Sequence, residues 1–170
     1  MYTRILSIDG GGIRGLIPAQ ILVSLEEKLQ QRSSRPQAHI SDYFDLIAGT
    51  STGGLITLLL LAPDEDGQSA RFHAQDIVDF YLKHGEEIFS NSFWGQIRSL
   101  AGLTDERYDA SGLERLIDEF VGDLRLSQLI KPCLVTAYDM TNRHAKFFTQ
   151  HDAVLKEKDK DKDYPVKVVA

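Results

Sequence analysis

Apolar residues recur along this chain with two spacings, one typical of strands and one typical of helices. Short apolar runs predict strands over residues 5–8, 46–48, 133–138, 145–149 and 166–169. Apolar residues three and four positions apart predict helices over residues 16 to about 31, 52–62, 73 to about 89, and after Ser111, a candidate cap. Strands that alternate with helices favour an α/β fold with a mostly parallel sheet.

Length and composition restrict the class of protein. The 170 residues are 42% hydrophobic and 26% charged, which suits one globular domain with a sizeable core. The formal net charge of -6 argues against a nucleic-acid partner. The single cysteine, Cys133, lies in a predicted strand, so we expect a buried thiol and exclude a disulfide framework.

The chain shows no pattern for export or for membrane insertion. Its first residues lead directly into a predicted strand rather than into the long apolar segment of a signal peptide. No run approaches the roughly 20 apolar residues that span a bilayer. The sequence therefore predicts a cytoplasmic protein whose contact with membranes is peripheral.

The segment from Leu46 to Gly54 has the pattern of a nucleophile elbow. Gly49 and Gly53 flank Ser51 between a predicted strand and a predicted helix. Glycines allow a positive φ and a close approach of the backbone, and a helix that begins after Ser51 favours negative charge at its N-terminus. Ser51 is therefore the candidate nucleophile, the alternative being an inert serine in a glycine-rich turn.

A second glycine-rich segment, from Asp9 to Gly15, also lies at a strand-to-helix junction. Its glycines allow successive backbone N–H groups to point into one concavity that holds an anion. In acyl transfer that anion is the oxyanion of the tetrahedral intermediate, and Arg14 adds positive charge nearby. Because both motifs follow strands and end at the same edge of the sheet, we expect this glycine loop to face Ser51.

The same glycines match the Gly-x-Gly-x-x-Gly pattern of dinucleotide-binding folds, so a nucleotide site is the alternative. That pattern requires an acidic residue about 20 residues further on, where this chain has Arg32, Ser33, Ser34 and Arg35. A P-loop is excluded because no Gly-Lys-Ser/Thr follows the glycines. The oxyanion interpretation is favoured, since a nucleotide site leaves Ser51 without a role.

Residues 7–19 and 44–54 together resemble the two signature blocks of the patatin-like phospholipases, and the similarity extends to residues 108–122 and 136–139. The resemblance implies a three-layer α/β/α fold and a lipid acyl hydrolase, either a phospholipase A or an esterase. It implies a phospholipid or other acyl-lipid substrate and a Ser-Asp dyad that works without histidine, cofactor or metal.

The resemblance also implies roles for individual residues. Ser51 is the implied nucleophile, on the elbow formed by Gly49 and Gly53. The implied oxyanion hole comprises the glycine loop, with N–H groups from Gly11 and Gly12 and support from Arg14, and we expect the N–H of Thr52 to contribute. The full set predicted for the oxyanion hole is Gly10, Gly11, Gly12, Arg14, Gly15 and Thr52.

The aspartate base of that family lies in a downstream Asp-Gly-Gly or Asp-Gly-Ala motif. The Asp-Gly pairs of this chain are Asp9-Gly10, in the glycine loop, and Asp66-Gly67, in a charged turn. We therefore expect residues 1–170 to be the N-terminal portion of a catalytic domain that continues beyond residue 170, cut before its last strands and inactive alone. The alternative is a catalytically incomplete fragment or a non-catalytic lipid-binding module.

A Ser-His-Asp triad is the other possible source of a base, because Asp139 followed by His144 or His151 has the required order. Asp139 and His144 flank a predicted hairpin turn, and His151 follows in a polar stretch, so solvated histidines are favoured. We expect Asp139, like Asp9 and Asp45, to accept hydrogen bonds from backbone N–H groups.

Two further segments, one aromatic and one charged, connect the predicted helices and strands. The aromatic segment 88–100 is either a lid that touches lipid or a connection packed on the core, and both interpretations stay open. The charged segment 156–163 is expected to be a solvated loop. No cluster of His and Cys has the spacing of a metal site.

Overall fold

A computed structural model describes residues 2–88, 111–155 and 162–170. Its strands are β1 (Ile5–Ile8), β2 (Leu46–Thr50), β3 (Cys133–Asp139) and β4 (His144–Thr149). Its helices are α1 (Leu16–Ser33), α2 (Ile40–Tyr43), α3 (Thr52–Leu60), α4 (Ala74–Ile88), α5 (Ser111–Val121), α6 (Gln150–Leu155) and α7 (Val166–Val169). Turns of 3-10 helix cover Gly12–Gly15 and Leu126–Gln128.

The strands form one sheet in the order β1-β2-β3-β4. β1 is parallel to β2, with Ile8 opposite Gly49, and β2 is parallel to β3, with Gly49 opposite Val135. β4 returns antiparallel to β3. Helices flank this sheet, so the predicted α/β class with a mostly parallel sheet is confirmed. Because β1 and β2 run in the same direction, the segments that follow them meet at one edge of the sheet.

The core is organised around α3, whose residues are all buried. A helix that is apolar on every side packs in the interior rather than at the surface, and α3 contacts β1, β2 and β3. Cys133 of β3 is also buried, and burial raises the pKa of its thiol to about 11. The predicted buried thiol is therefore confirmed.

The predicted strand over residues 166–169 is wrong, because these residues form helix α7. Pro165 precedes the helix, and Val166 and Val169, three positions apart, are the buried residues on its inner face. Lys167 lies between them, half-buried, and binds the carboxylates of Asp118 and Asp123. A run of four mostly apolar residues does not distinguish a strand from one helical turn.

The end of the charged segment 156–163 also differs from the prediction of a solvated loop. The Asp163 carboxylate accepts hydrogen bonds from the Ser127 N–H at 3.0 Å and from Arg125 Nε at 3.0 Å. Residues 156–161, and residues 89–100 of the aromatic segment, lie outside the described residues. Within the described ranges, no helix combines the length and apolar character needed to cross a bilayer.

A buried carboxylate joins α1 to two other helices. Glu26 is only 5% exposed, and its oxygens accept the N–H groups of Ile40, at the start of α2, and of Ala74, at the start of α4. The distances are 2.9 Å and 3.1 Å. His73 Nδ1 lies 3.2 Å from the same carboxylate, and the His73 ring stacks on His39. We call these residues the Glu26 cluster.

Candidate active site

Ser51 occupies the single position between the end of β2 and the start of α3. Its backbone has φ 52° and ψ -126°, and its side chain is exposed. A residue with a side chain rarely adopts a positive φ, and such a conformation costs roughly 1–3 kcal/mol. The surrounding structure therefore holds Ser51 in a sharp turn that projects the hydroxyl outward, as the elbow pattern predicts.

The flanking glycines explain why the chain can turn here. A Cβ added at Gly49 would lie 2.1 Å from the carbonyl oxygen of Gly53, and a Cβ at Gly53 would lie 2.1 Å from that of Ile8. No side chain fits at either distance. Glycine at position 49 therefore lets the start of α3 lie directly against β2, and glycine at position 53 lets the elbow pack against β1.

The structure brings the glycine loop against Ser51, as the shared sheet edge predicts. A Cβ added at Gly10 would lie 2.6 Å from the carbonyl oxygen of Thr50 and 2.7 Å from Ser51 Cβ. Gly12 has φ 61°, a left-handed conformation that favours glycine, and begins the 3-10 turn that leads into α1. The two motifs thus form one continuous site.

Hydrogen bonds fix the position of the glycine loop. The Gly10 N–H donates to Thr50 Oγ1 at 3.0 Å, and the Gly11 N–H donates to Thr52 Oγ1 at 3.2 Å. Arg14 folds back on the loop, where both its backbone N–H and its Nε donate to the carbonyl oxygen of Gly11. Arg14 itself is exposed. The guanidinium therefore adds positive charge at the mouth of the site while bracing the loop.

Tyr81 of α4 supports both motifs from below, and sequence reasoning missed this role. Its hydroxyl donates to the Thr52 carbonyl oxygen at 3.3 Å, and a Cβ at Gly15 would lie 2.7 Å from the same hydroxyl. Burial raises the pKa of this phenol above its usual range, so it stays a donor. The available signal was a tyrosine on an apolar helix face, since a buried Tyr hydroxyl needs a partner.

The start of α3 provides the electrostatics of the site. The first N–H groups of a helix have no intrahelical acceptor, and Thr52 is the first residue of α3. The aligned peptide dipoles of α3 add partial positive charge at this end. Because the rest of α3 is buried, this field acts on Ser51 with little screening from below.

No carboxylate or imidazole of residues 2–88, 111–155 or 162–170 is hydrogen-bonded to the Ser51 hydroxyl. Asp139 instead accepts hydrogen bonds from the side-chain amide and then the backbone N–H of Asn142, which lower the pKa of Asp139, so its predicted role in the turn is confirmed. His144 and His151 are exposed, as predicted.

The two other carboxylates expected to bind backbone N–H groups differ from each other. Asp45 accepts the N–H of Arg4 at 2.8 Å, as predicted. Asp9 accepts no hydrogen bond from any residue that the structure describes, so that prediction is wrong. In the same part of the chain, no group of three or more His, Cys, Asp or Glu side chains could hold a metal ion.

A groove of about 570 Å³ lies beside the glycine loop, between β1 and α1. Its polar end is formed by Asp9, Gly10, Gly11 and Arg14. Its remaining length is mostly apolar and includes Leu6, Ile8, Ile17, Ile21, Leu22 and Leu25. A polar end followed by an apolar wall fits a molecule that carries a polar head and a hydrocarbon tail.

Comparisons with known proteins identify a single family. A family model described as patatin-like phospholipase matches residues 6–170. The chain is 39% identical over 158 residues to patatin-like protein 2 of Oryza sativa subsp. indica, covering 89% of this chain and 38% of that protein. It is 42% identical over 151 residues to patatin-like protein 2 of Arabidopsis thaliana, covering 87% of this chain and 37% of that protein.

A third relative is Patatin-17 of Solanum cardiophyllum, 40% identical over 146 residues, with 86% of this chain and 36% of that protein covered. The chain thus spans a little over a third of the length of the curated relatives it matches. Its family model covers almost all of its residues. The chain therefore belongs to the patatin-like phospholipase family.

Proposed function

We propose that this chain carries the nucleophile and the oxyanion hole of a lipid acyl hydrolase. The observation that carries the proposal is the conformation of Ser51, an exposed hydroxyl on a turn with φ 52° at the start of α3, directly against the glycine loop. Backbone strain of this kind persists only where the surrounding contacts impose it. Here those contacts come from the glycines of both motifs.

The proposed reaction proceeds in two steps through an acyl-enzyme. Ser51 Oγ gives its proton to a base and bonds to the ester carbonyl carbon, whose oxygen becomes the oxyanion. Collapse of the tetrahedral intermediate breaks the ester bond, and the leaving alcohol takes the proton from the base. Water then repeats the sequence on the acyl-enzyme and releases the fatty acid and the free Ser51.

We propose that the oxyanion is bound by backbone N–H groups of the glycine loop and of Thr52. Removing one oxyanion donor in other enzymes slows the reaction by about 10²–10³. The positive end of α3 and the Arg14 guanidinium favour the same charge. The base is proposed to be an aspartate in an Asp-Gly-Gly or Asp-Gly-Ala motif that follows residue 170 in the whole protein.

The groove between β1 and α1 supports an acyl-lipid substrate. Its apolar wall ends at Gly10 and Gly11 of the glycine loop, which lies against Ser51. A hydrocarbon tail of the acyl group gains roughly 0.8 kcal/mol for each buried CH₂. Contact with a lipid surface is proposed to be peripheral.

The test is covalent labelling with a fluorophosphonate, which reacts with an activated serine. The whole protein, residues 1–170 together with the sequence that follows them in the same reading frame, is expressed with and without Ser51→Ala. We call the unsubstituted form the parent protein. We expect labelling of the parent protein and none of the variant. Ser24→Ala, which removes an exposed serine of α1, is the matched control and should label normally. Equal labelling of the parent and Ser51→Ala would refute the proposal.

A second candidate function is a non-catalytic lipid-binding module. It is favoured by the absence of any acid or imidazole bonded to the Ser51 hydroxyl among the described residues. General-base activation contributes about 10²–10⁴-fold to such reactions. Measurable ester hydrolysis by residues 1–170 alone, abolished by Ser51→Ala, would reject this candidate.

A further inference from the structure

The two residues that flank Ser51 are both threonines, and each of their hydroxyls binds one glycine of the loop. Thr50 Oγ1 accepts the Gly10 N–H at 3.0 Å, and Thr52 Oγ1 accepts the Gly11 N–H at 3.2 Å. We propose that Thr50 and Thr52 are positioning residues whose hydroxyls hold the glycine loop in register with Ser51. The inference rests on the proposed function, because it assigns the means by which the oxyanion hole is aligned.

The elbow places the two hydroxyls on either side of the nucleophile. Thr50 is the last residue of β2 and Thr52 the first of α3, and the sharp turn at Ser51 lets both side chains reach the same loop. A β-branched side chain has few χ1 rotamers, so each hydroxyl is held in place once the backbone is fixed. Gly49 and Gly53 fix that backbone through their close contacts.

The two bonds have no substitute in the described part of the chain. There, no other side chain joins residues 9–15 to residues 49–54 by a hydrogen bond. Thr50 is exposed, whereas Thr52 is buried and its carbonyl oxygen also accepts the Tyr81 hydroxyl. A hydrogen bond in a less polar environment is stronger. We therefore expect the Thr52 bond to contribute more than the Thr50 bond.

The bonds also determine which N–H groups face the substrate. The N–H groups of Gly10 and Gly11 are directed at threonine oxygens. The N–H groups of Gly12 and Thr52 each begin a helical segment and have no intrahelical acceptor. In this geometry Gly10 and Gly11 support the loop, and Gly12 and Thr52 are the donors available to an oxyanion.

The experiment compares Thr50→Val and Thr52→Val, which keep the branched shape and lose the acceptor. Amide hydrogen exchange is measured by NMR on the parent protein. Thr52→Val should speed exchange at the Gly11 N–H about five- to tenfold and leave exchange at Gly10 unchanged. Thr50→Val should speed exchange at the Gly10 N–H and leave exchange at Gly11 unchanged. Thr50→Ser and Thr52→Ser keep the hydroxyl and should restore slow exchange at each glycine.

Fluorophosphonate labelling of Ser51 in the parent protein supplies the second measurement. We expect the labelling rate to fall about 10–10²-fold in Thr52→Val and by less in Thr50→Val, with recovery in the serine variants, because small misplacements of a catalytic group have effects of this size. Unchanged thermal unfolding separates positioning from a general loss of stability.

The outcomes are separable from those of the proposed function. Unchanged exchange at Gly10 and Gly11 in both valine variants overturns the inference, whether or not Ser51 reacts. If each valine variant speeds exchange only at the glycine that its threonine binds, but the labelling rate of Ser51 is unchanged, the positioning role is overturned. If Ser51 of the parent protein never reacts, the proposed function fails. The exchange rates at Gly10 and Gly11 in the two valine variants then decide alone whether the hydroxyls hold the loop. Should Thr52→Val not fold, exposed Thr50 carries the same test.

Discussion

Ser51 and Glu26 each lie where separate segments of the chain meet, and their polar groups are used differently. The Glu26 carboxylate is buried and accepts two backbone N–H groups, with His73 Nδ1 beside it. The Ser51 hydroxyl is exposed and bonded to no carboxylate or imidazole of the described residues. Around Ser51 the fixed groups are glycines and threonines rather than the serine itself.

The difference shows how one fold separates stability from reactivity. A buried charge is tolerated only when its hydrogen-bonding capacity is used, and Glu26 meets that condition by capping α2 and α4. A nucleophile must keep its oxygen available, so the elbow is held by steric exclusion and by bonds between its neighbours. Variants of the two regions should therefore have different effects on unfolding and on reactivity.

The largest effect is expected from Gly53→Ala. The new Cβ would lie 2.1 Å from the carbonyl oxygen of Ile8, so β1 and the elbow must separate. We expect urea denaturation to show a loss of about 4 kcal/mol or more in the free energy of unfolding, together with loss of labelling at Ser51. Gly11→Ala is the matched control for stability, because its Cβ meets Arg14 Cβ at an ordinary 3.5 Å. Equal stabilities would show that the elbow tolerates a wider spacing.

The next largest effect is expected from Glu26→Ala. Two helix N-termini lose their acceptor, and a buried hydrogen-bonded charge typically contributes about 3 kcal/mol when its partners are left unpaired. Urea denaturation measures this change, and Glu27→Ala, on the exposed side of α1, is the matched control. Labelling of the folded variant at Ser51 should keep its normal rate. A selective loss of labelling would mean that the two regions are coupled.

A smaller effect is expected from Tyr81→Phe, which removes the donor to the Thr52 carbonyl oxygen. One such hydrogen bond contributes about 1 kcal/mol to stability. Because Tyr81 lies beneath both motifs, the labelling rate should fall as well, in contrast to Glu26→Ala. Phe80→Leu, in the neighbouring position of the same helix, should lower stability and spare the labelling rate.

The smallest effect is expected for the dependence of the free energy of unfolding on pH. Burial, and then the neighbouring His73, lower the pKa of His39 below its ordinary 6.5. The unfolded chain therefore binds the proton more readily than the folded one, so this contribution is present above about pH 6.5 and is lost as the pH falls below it. Urea denaturation between about pH 7.5 and 5.5 should show a steeper decline for the parent chain than for His39→Gln. Parallel declines would contradict this assignment.

The sequence predicted the site around Ser51 but not the buried carboxylate of Glu26. Glycines at fixed distances from Ser51 predicted both motifs and their meeting at one sheet edge, because sterically required glycines leave a visible pattern. Glu26 lies among charged and amide residues of α1 that look like a solvated helix face. Its burial depends on where α2 and α4 begin, which is a tertiary property that local spacing does not encode.

Two other results needed the structure for the same reason. The threonine hydroxyls are ordinary in the sequence, and their bonds to Gly10 and Gly11 arise only once β1 and β2 pair. The segment 166–169 was too short for its spacing to identify a helix. In both, the deciding contacts join residues forty or more positions apart in sequence, as with Gly10 and Thr50 or with Lys167 and Asp118.

The complete burial of α3 has a consequence for how the protein responds to heat. Segments with buried backbone and apolar contacts on every side open only when the whole domain unfolds. Ser51 is attached to the first residue of such a segment. Its reactivity should therefore persist up to the global melting transition and vanish together with it, whereas sites on surface loops of other enzymes are often silenced by local melting at lower temperature.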